Sequence, residues 1–202
     1  MPCKGPGGIC IRVKICGVTR VEDALLAERA GASAIGIVMC SDSPRSVSFE
    51  RAERIMNETG PLTAVVLVTH TTVRADLDDI LGLGPHAIQI SHHFRDLPGK
   101  GVKIIRSLRP GDPLPGDCDA VVVDASQGKG LPYDPEYARM VVKNSKIPVI
   151  LAGGLAPDNV ARAIREVRPY AVDVASGVEA GRGIKDPGKV RAFISACHRE
   201  IS

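Results

Sequence analysis

The chain is poor in aromatic residues and contains no tryptophan. Only 3% of its 202 residues are Phe, Trp or Tyr, whereas 44% are hydrophobic. The core therefore has to be built mainly from Val, Ile, Leu and Ala, which suits buried parallel β-strands. A chain of this length can form one sizeable core, so we expect a single α/β domain.

Features that mark several specialised classes of protein are also missing. No apolar run reaches the ~18 residues of a membrane span, and no signal-peptide pattern opens the chain. The net charge is only +3 and the basic residues are scattered, so we predict neither nucleic acid nor a membrane as partner. A disulfide framework is not expected in a chain of this size with a full aliphatic core. The six cysteines lack CxxC spacing, and His92-His93 has no acid or cysteine at a helpful spacing, which argues against a metal site. A reducing cytoplasm is the expected location.

Short apolar, β-branched runs alternate with helical patterns along most of the chain. The predicted strands cover about residues 10–16, 34–39, 63–69, 87–90, 102–107, 120–124, 148–152 and 171–175. Such a series gives parallel strands, and eight of them close into a single (β/α)8 TIM barrel whose active face lies at the strand carboxyl ends. A doubly wound open sheet is the alternative, but no GxGxxG follows the first strand.

The remaining segments fit this architecture. Residues 1–8 are rich in Gly and Pro and are predicted to be a flexible tail, with residues 9–202 forming the barrel. Residues 96–100 and 110–115 leave room only for reduced helices after strands four and five. Pro157 is expected at the first position of the seventh helix.

Two candidate catalytic residues end predicted strands. Cys16 follows Lys14 on the same face of strand one, and positive neighbours lower the pKa of a thiol from its free value of about 8.5; the alternative is a small buried hydrophobic residue. Asp124 ends strand six, where partial burial is expected to raise its pKa, unless it is a helix cap or a core ion-pair partner. Lys14, one layer deeper, is expected to pair with Asp173 on strand eight, which adjoins strand one in a closed barrel.

Candidate anion-binding groups follow other strands. Gly153-Gly154 ends strand seven and Ser176-Gly177 ends strand eight, where backbone N–H groups of a barrel typically hold a phosphate. The alternative is that these glycines only allow tight turns. Arg45, in the loop after strand two, can grip a carboxylate in two places unless it is an ordinary solvated charge.

Five stretches of the chain stand in an order and spacing more specific than any one of them. They are Lys14-Ile15-Cys16-Gly17-Val18-Thr19 with Glu22-Asp23-Ala24, Ser43-Pro44-Arg45, Asp124 followed by Gly128-Lys129-Gly130, Leu151-Ala152-Gly153-Gly154-Leu155 with Asn159-Val160, and Val172-Asp173-Val174-Ala175-Ser176-Gly177-Val178-Glu179 with Lys185-Asp186. Together they resemble the phosphoribosylanthranilate isomerase family, a tryptophan-biosynthesis barrel, over about residues 11 to 195.

The resemblance implies an Amadori rearrangement that opens an aminated ribose 5-phosphate and moves a proton from C2. It implies that Cys16 is the general base at C2, that Asp124 is the general acid at the furanose oxygen, and that Arg45 holds the anthranilate carboxylate. The other residues expected to contact the substrate are Gln89, Gly128, Gly130, Gly153, Gly154, Asp173, Ser176 and Gly177. We expect no metal or organic cofactor, a small phosphosugar as partner, and a monomer or homodimer.

Two alternatives remain at this point. One is a related barrel that acts on or binds a different phosphosugar, because the family usually has Gln-Leu-His-Gly after strand four and this chain has Gln89-Ile90-Ser91-His92. That shift by one residue points the histidine to the other face of the strand. The other alternative is a non-catalytic phosphate-binding or assembly protein. His70, His86 and His198 are interpreted as solvated or capping residues.

Overall fold

Eight parallel strands close into a barrel in the computed structural model of the chain, which describes residues 11–97, 101–124 and 133–199. Each strand pairs with the next one along the chain, and the eighth pairs with the first. The strands are β1 (Arg12–Ile15), β2 (Ala34–Met39), β3 (Ala64–Thr69), β4 (Ala87–Ile90), β5 (Lys103–Leu108), β6 (Ala120–Val123), β7 (Val149–Leu151) and β8 (Ala171–Val174). The predicted (β/α)8 barrel is confirmed, and the open sheet is wrong.

The helices lie outside the barrel and connect its strands. In the described ranges they are α1 (Val21–Ala30), α2 (Phe49–Glu58), α3 (Arg74–Gly82), α4 (Pro135–Asn144), α5 (Val160–Val167) and α6 (Pro187–Arg199). No α-helix forms in the described residues between β4 and β5 or between β5 and β6, which confirms the predicted reduction. None of the helices described is both long and apolar enough to cross a bilayer.

Side-chain hydrogen bonds explain why the predicted start of α2 is correct and the predicted start of α5 is wrong. The Ser48 hydroxyl accepts a hydrogen bond from the Arg51 N–H, so α2 begins where the sequence predicts. The prediction for Pro157 is wrong, because α5 begins at Val160 and Pro157 lies in the preceding turn. The Asn159 side chain stabilises that turn by accepting from the Ala156 N–H and donating to the Gly154 carbonyl.

Strand alternation divides the apolar side chains into two layers. Val13 and Ile15 point outward and pack in the large cluster between the strands and the helices. Cys16 points inward and packs in the smaller cluster inside the barrel, together with residues such as Val68 and Val122. The inner layer is therefore where β1 places its polar and reactive side chains.

The chain after β8 forms structure that the sequence analysis did not predict. A 3-10 turn (Ser176–Val178) leads into a short antiparallel hairpin of β9 (Glu179–Gly181) and β10 (Ile184–Lys185). Glu179 and Lys185 are both buried there. The predicted tail, residues 1–8, lies outside the described residues, so the division of the chain into tail and barrel stays a prediction.

Candidate active site

A cavity of about 560 Å³ opens at the carboxyl ends of the barrel strands. Its walls include eight of the predicted site residues, namely Cys16, Arg45, Gln89, Asp124, Gly153, Gly154, Asp173 and Ser176. Gly177 is not on the wall but follows Ser176 directly, and Gly128 and Gly130 lie outside the described residues. Cys16 and Asp124 share this cavity, so they flank a space that a small molecule can occupy.

A buried ion pair lies below the mouth of the cavity. Lys14 and Asp173 are register partners on β1 and β8, and Lys14 Nζ lies 3.0 Å from Asp173 Oδ2. The two side chains are only 4% and 8% exposed, so the predicted pair is confirmed. Lys14 Nζ also donates to Gln89 Oε1 at 3.0 Å, and Gln89 Nε2 donates to the Ser107 hydroxyl at 3.4 Å. These bonds fix Gln89 in the cavity wall.

The second carboxylate oxygen of Asp173 is buried and has no hydrogen-bond partner in the described residues. Burial raises the pKa of Asp173, while the neighbouring Lys14 ammonium lowers it. A buried acceptor without a donor is costly, and a ligand hydroxyl that donates to it would remove that cost. Because Asp173 lines the cavity, its Oδ1 atom is a candidate contact for a polyhydroxy ligand.

The Cys16 thiol lies beside this ion pair. A Cβ atom added to Gly36 on β2 would lie 2.7 Å from Cys16 Sγ and 3.1 Å from Lys14 Nζ, so the glycine provides the room that both groups occupy. The expectation of a lowered thiol pKa is wrong. Burial raises the pKa of Cys16 and the Asp173 carboxylate adds to this, outweighing the lowering effect of Lys14. Lys14 is a neighbour of the thiol already in the sequence, whereas the burial of the thiol and its closeness to the Asp173 carboxylate arise only in the folded barrel.

Asp124 directly follows β6 and is half-buried at the mouth. Its backbone N–H donates to the Leu108 carbonyl at 3.2 Å, which ties the start of the loop to β5.

His70 is a cavity residue that the sequence analysis missed. It follows β3 and lines the same cavity as Asp124, rather than serving only as a solvated or capping residue. Burial lowers the pKa of His70, although the Asp124 carboxylate acts to raise it. Its Nδ1 atom lies 3.3 Å from the Ser91 hydroxyl. The available signal was its position directly after a predicted strand, which is the same criterion that selected Asp124.

His92 lies away from this cavity. Its ring packs edge-on against Phe94 with the ring centroids 4.7 Å apart. This agrees with the prediction that the shift after strand four turns the histidine to the other face. No group of three His, Cys, Asp or Glu side chains in the described ranges is arranged to hold a metal ion.

Arg45 reaches the cavity wall from the loop after β2. Its Nε and Nη2 atoms donate to the two carboxylate oxygens of Glu179 at 2.7 and 2.8 Å. The hydrogen bond to Glu179 raises the pKa of Arg45, and a guanidinium is in any case charged at neutral pH. The structure gives Arg45 Nη1 no acceptor among the described residues, which leaves that edge of the guanidinium available to an anion.

The glycine-rich loops after β7 and β8 pack against each other at one side of the mouth. Gly153 and Gly154 have φ angles of 100° and 61°, which favour glycine, and their N–H groups meet no acceptor in the described residues. A Cβ atom on Gly177 would overlap the Leu155 carbonyl oxygen, so only glycine lets the two loops approach this closely. Unused N–H donors in such loops suit a phosphate group.

Comparison with known proteins places these features in context. A family model described as N-(5'-phosphoribosyl)anthranilate isomerase matches residues 13–196. The isomerase of this name from Methanoregula boonei is 56% identical over 92% of this chain and 96% of its own length, and that from Pseudomonas aeruginosa is 40% identical over 92% and 94%. The Thermus thermophilus phosphoribosylanthranilate isomerase structure has a TM-score of 0.81, with 33% identity over 92% of this chain and 98% of its own.

One solved relative contains a ligand. It is a phosphoribosylanthranilate isomerase in complex with reduced 1-(o-carboxyphenylamino)-1-deoxyribulose 5-phosphate, with a TM-score of 0.76 and 30% identity over 93% of this chain and 98% of its own. The ligand of that relative carries a carboxylate, an open sugar chain and a phosphate.

Proposed function

The chain belongs to the N-(5'-phosphoribosyl)anthranilate isomerase family and is an isomerase of tryptophan biosynthesis, and on this premise we propose that Cys16 and Asp124 are the base and the acid of its Amadori rearrangement. The observation that carries the proposal is that both side chains line one cavity at the strand carboxyl ends. The related barrel with a different phosphosugar and the non-catalytic binding protein are disfavoured, because the match extends over almost the whole chain.

The proposed reaction needs one group to give a proton and another to take one. Asp124 donates its proton to the furanose oxygen as the C1–O bond breaks, and the nitrogen lone pair forms a C=N bond at C1. Cys16 then removes the proton from C2, the C–H electrons form a C1=C2 bond, and the C=N electrons return to nitrogen. The resulting enolamine tautomerises to the 2-keto product. Holding the sugar between two such groups supplies both proximity and acid–base catalysis.

Lys14 is proposed to assist the base. A buried thiol with a raised pKa is mostly protonated at neutral pH, and the adjacent ammonium is a group that lowers the pKa of Cys16. The Asp173 carboxylate opposes this effect. A substrate hydroxyl that donates to Asp173 Oδ1 would partly neutralise the carboxylate and leave more of the lysine charge to act on the thiol.

The remaining residues are proposed to bind the substrate. Arg45 uses its open edge to hold the anthranilate carboxylate, and Asp173 accepts from a sugar hydroxyl. Gln89, fixed by Lys14, contributes its amide to the same wall. The phosphate binds the backbone of the two packed glycine-rich loops, formed by Gly153, Gly154, Ser176 and Gly177. Gly128 and Gly130 stay predicted substrate contacts.

Substitution of the proposed acid tests the mechanism most directly. We expect Asp124→Asn to lower turnover by about 10²- to 10⁴-fold, the usual contribution of general acid–base catalysis. Turnover is followed by the fluorescence of phosphoribosylanthranilate as it is consumed. Affinity for reduced 1-(o-carboxyphenylamino)-1-deoxyribulose 5-phosphate should stay within about threefold of the unsubstituted enzyme. This open-chain ligand carries a C4 hydroxyl in place of the ring oxygen, and the asparagine amide can still form a hydrogen bond with it.

Controls separate the roles of the two residues from general damage. Asp158→Asn removes an exposed carboxylate near the β7 loop and should leave turnover unchanged. Cys16→Ser should lose activity to a similar degree as Asp124→Asn, because a hydroxyl is a much weaker base than a thiolate. If folded Asp124→Asn and Cys16→Ser enzymes both keep the full rate, the proposed mechanism is wrong even though the family assignment stands.

We also propose a cytoplasmic location and a monomeric or homodimeric state. The proposed base has to stay a reduced thiol, and Cys16, Cys40, Cys118 and Cys197 are all free, as a reducing compartment requires. One solved relative consists of monomers generated from the dimeric isomerase of Thermotoga maritima. Analytical ultracentrifugation of the full chain distinguishes a monomer from a dimer, and cell fractionation tests the location.

A further inference from the structure

We propose that Glu179 is a positioning residue that holds the Arg45 guanidinium in the orientation that receives the substrate carboxylate. The inference rests on the proposed role of Arg45. Glu179 lies on the β9–β10 hairpin, to which the proposed acid–base mechanism gives no role. Glu179 lies on β9 and is not part of the cavity wall, so it acts through Arg45 rather than on the substrate.

The contact between the two side chains is bidentate and buried. Arg45 Nε and Nη2 donate to Glu179 Oε1 and Oε2 at 2.7 and 2.8 Å. The arginine side chain is 11% exposed and the glutamate side chain 6%. A planar guanidinium bound along one edge has a fixed plane, so the direction of its remaining Nη1 edge is fixed as well. An anion in the cavity therefore meets an arginine that is already ordered.

Arg45, Lys185 and Glu179 form a charged cluster with more positive than negative charge. Lys185 Nζ also binds Glu179 Oε1, at 3.1 Å, and its side chain is 0% exposed. Two cations and one carboxylate make a net charge of +1 among Arg45, Lys185 and Glu179. Of these three side chains only Arg45 lines the cavity, so a ligand in the cavity meets the excess positive charge at the Arg45 guanidinium. A single ligand carboxylate matches it.

Glu179 is itself held in place from several sides. Its Oε1 atom accepts from the Gly183 N–H at 3.2 Å, and its backbone carbonyl accepts from Lys189 Nζ at 2.8 Å. The hairpin is joined to the β1 end of the barrel because the Thr19 hydroxyl donates to the Gly183 carbonyl at 2.6 Å. The carboxylate is thus a rigid support for Arg45, and not a mobile competitor for it.

The test compares two ligands that differ only in the carboxylate. One is reduced 1-(o-carboxyphenylamino)-1-deoxyribulose 5-phosphate, and the other is the same molecule with an unsubstituted phenyl ring. The ratio of their dissociation constants measures how well the enzyme recognises the carboxylate. We expect Glu179→Gln to reduce this ratio about 10- to 100-fold, as for the loss of a charge-assisted hydrogen bond, while affinity for the phenyl ligand changes less than about threefold.

Further variants make each outcome decisive. Arg45→Met should bring the ratio close to one, and Glu179→Asp should retain more of it than Glu179→Gln. Arg182→Met removes an exposed cation from the turn of the same hairpin, one that makes no hydrogen bond to Glu179, so it should leave the ratio nearly unchanged. If Arg45→Met loses the ratio and folded Glu179→Gln keeps it in full, the positioning role is refuted while the role of Arg45 stands. The positioning role is also refuted if Arg182→Met loses the ratio as fully as Glu179→Gln, and a ratio unaffected by Arg45→Met refutes both proposals.

Discussion

Asp173→Asn should make the protein less stable and its Cys16 thiol more acidic. The carboxylate is 3.0 Å from Lys14 Nζ, with both side chains almost fully buried. Removing one partner of a buried ion pair costs about 3–5 kcal/mol of unfolding free energy. We expect a loss of unfolding free energy near the lower end of this range, because the asparagine carbonyl can still accept a hydrogen bond from Lys14. For a chain of this size, a loss of about 3 kcal/mol lowers Tm by roughly 6–12 °C.

The effect on the thiol follows from the charges that face it. Asp173 on β8 raises the pKa of Cys16, whereas Lys14 on β1 and Lys185 on β10 lower it, and Arg45 interacts with the same thiol. Neutralising Asp173 leaves the cations unopposed, so the pKa of Cys16 should fall. Lys14→Met removes a cation instead, so it should raise that pKa while also destabilising the protein.

The assay is the rate of Cys16 alkylation by iodoacetamide at a series of pH values, read from the mass of the peptide that contains Cys16. Peptide masses separate this thiol from the other cysteines, and urea unfolding gives the stability. We expect the Asp173→Asn profile to lie at lower pH than that of the unsubstituted enzyme and the Lys14→Met profile at higher pH. A folded Asp173→Asn protein whose profile is unchanged or moves to higher pH would refute the electrostatic reasoning.

Two further predictions concern the phosphate loops and the core. Gly177→Ala places a Cβ on the Leu155 carbonyl, so calorimetry should show binding of reduced 1-(o-carboxyphenylamino)-1-deoxyribulose 5-phosphate weakened by about tenfold or more. Gly181→Ala, with open space around it, should leave this affinity unchanged. Equal affinities of the two variants would contradict a phosphate site in the packed loops after β7 and β8. Burial raises the pKa of Cys197 to about 12, so the folded state keeps a proton that the unfolded state loses above its free pKa of about 8.5. Stability should therefore fall with rising pH, by about 1.4 kcal/mol per pH unit between pH 9 and 11 for this group. Cys197→Val should remove that contribution in urea unfolding, and an unchanged slope would contradict it.

Much of the site was predictable because strand alternation and barrel closure are simple geometric rules. Lys14 and Cys16, which directly follows β1, had to lie on the same face of the extended chain. A closed barrel brings β8 next to β1, which pairs Lys14 with Asp173. The same logic placed Asp124 and the glycine-rich loops at one mouth. Pro157 was misplaced because a side chain two residues later, Asn159, stabilises the turn in which it lies.

Other features depended on groups that come together only in the folded chain. The direction of the Cys16 pKa shift results from burial and from charges on β8 and β10, none of which a local pattern contains. The Arg45–Glu179 contact joins residues 134 positions apart through a hairpin with no strong periodic signal. His70 was interpreted as a solvated or capping residue, although its place directly after β3 puts it in the cavity wall.

The amino-acid sequence by itself determined the eight-strand order, the family and the positions of the candidate acid and base, because backbone periodicity and strand-end positions are local properties. Only the tertiary structure decided the protonation tendency of the thiol and the partner of the arginine. The pKa of Cys16 and the pairing of Arg45 with Glu179 depend on desolvation and on Coulomb interactions between residues distant in sequence. The strength of these effects is set by the distance between the groups and by their burial in the folded chain.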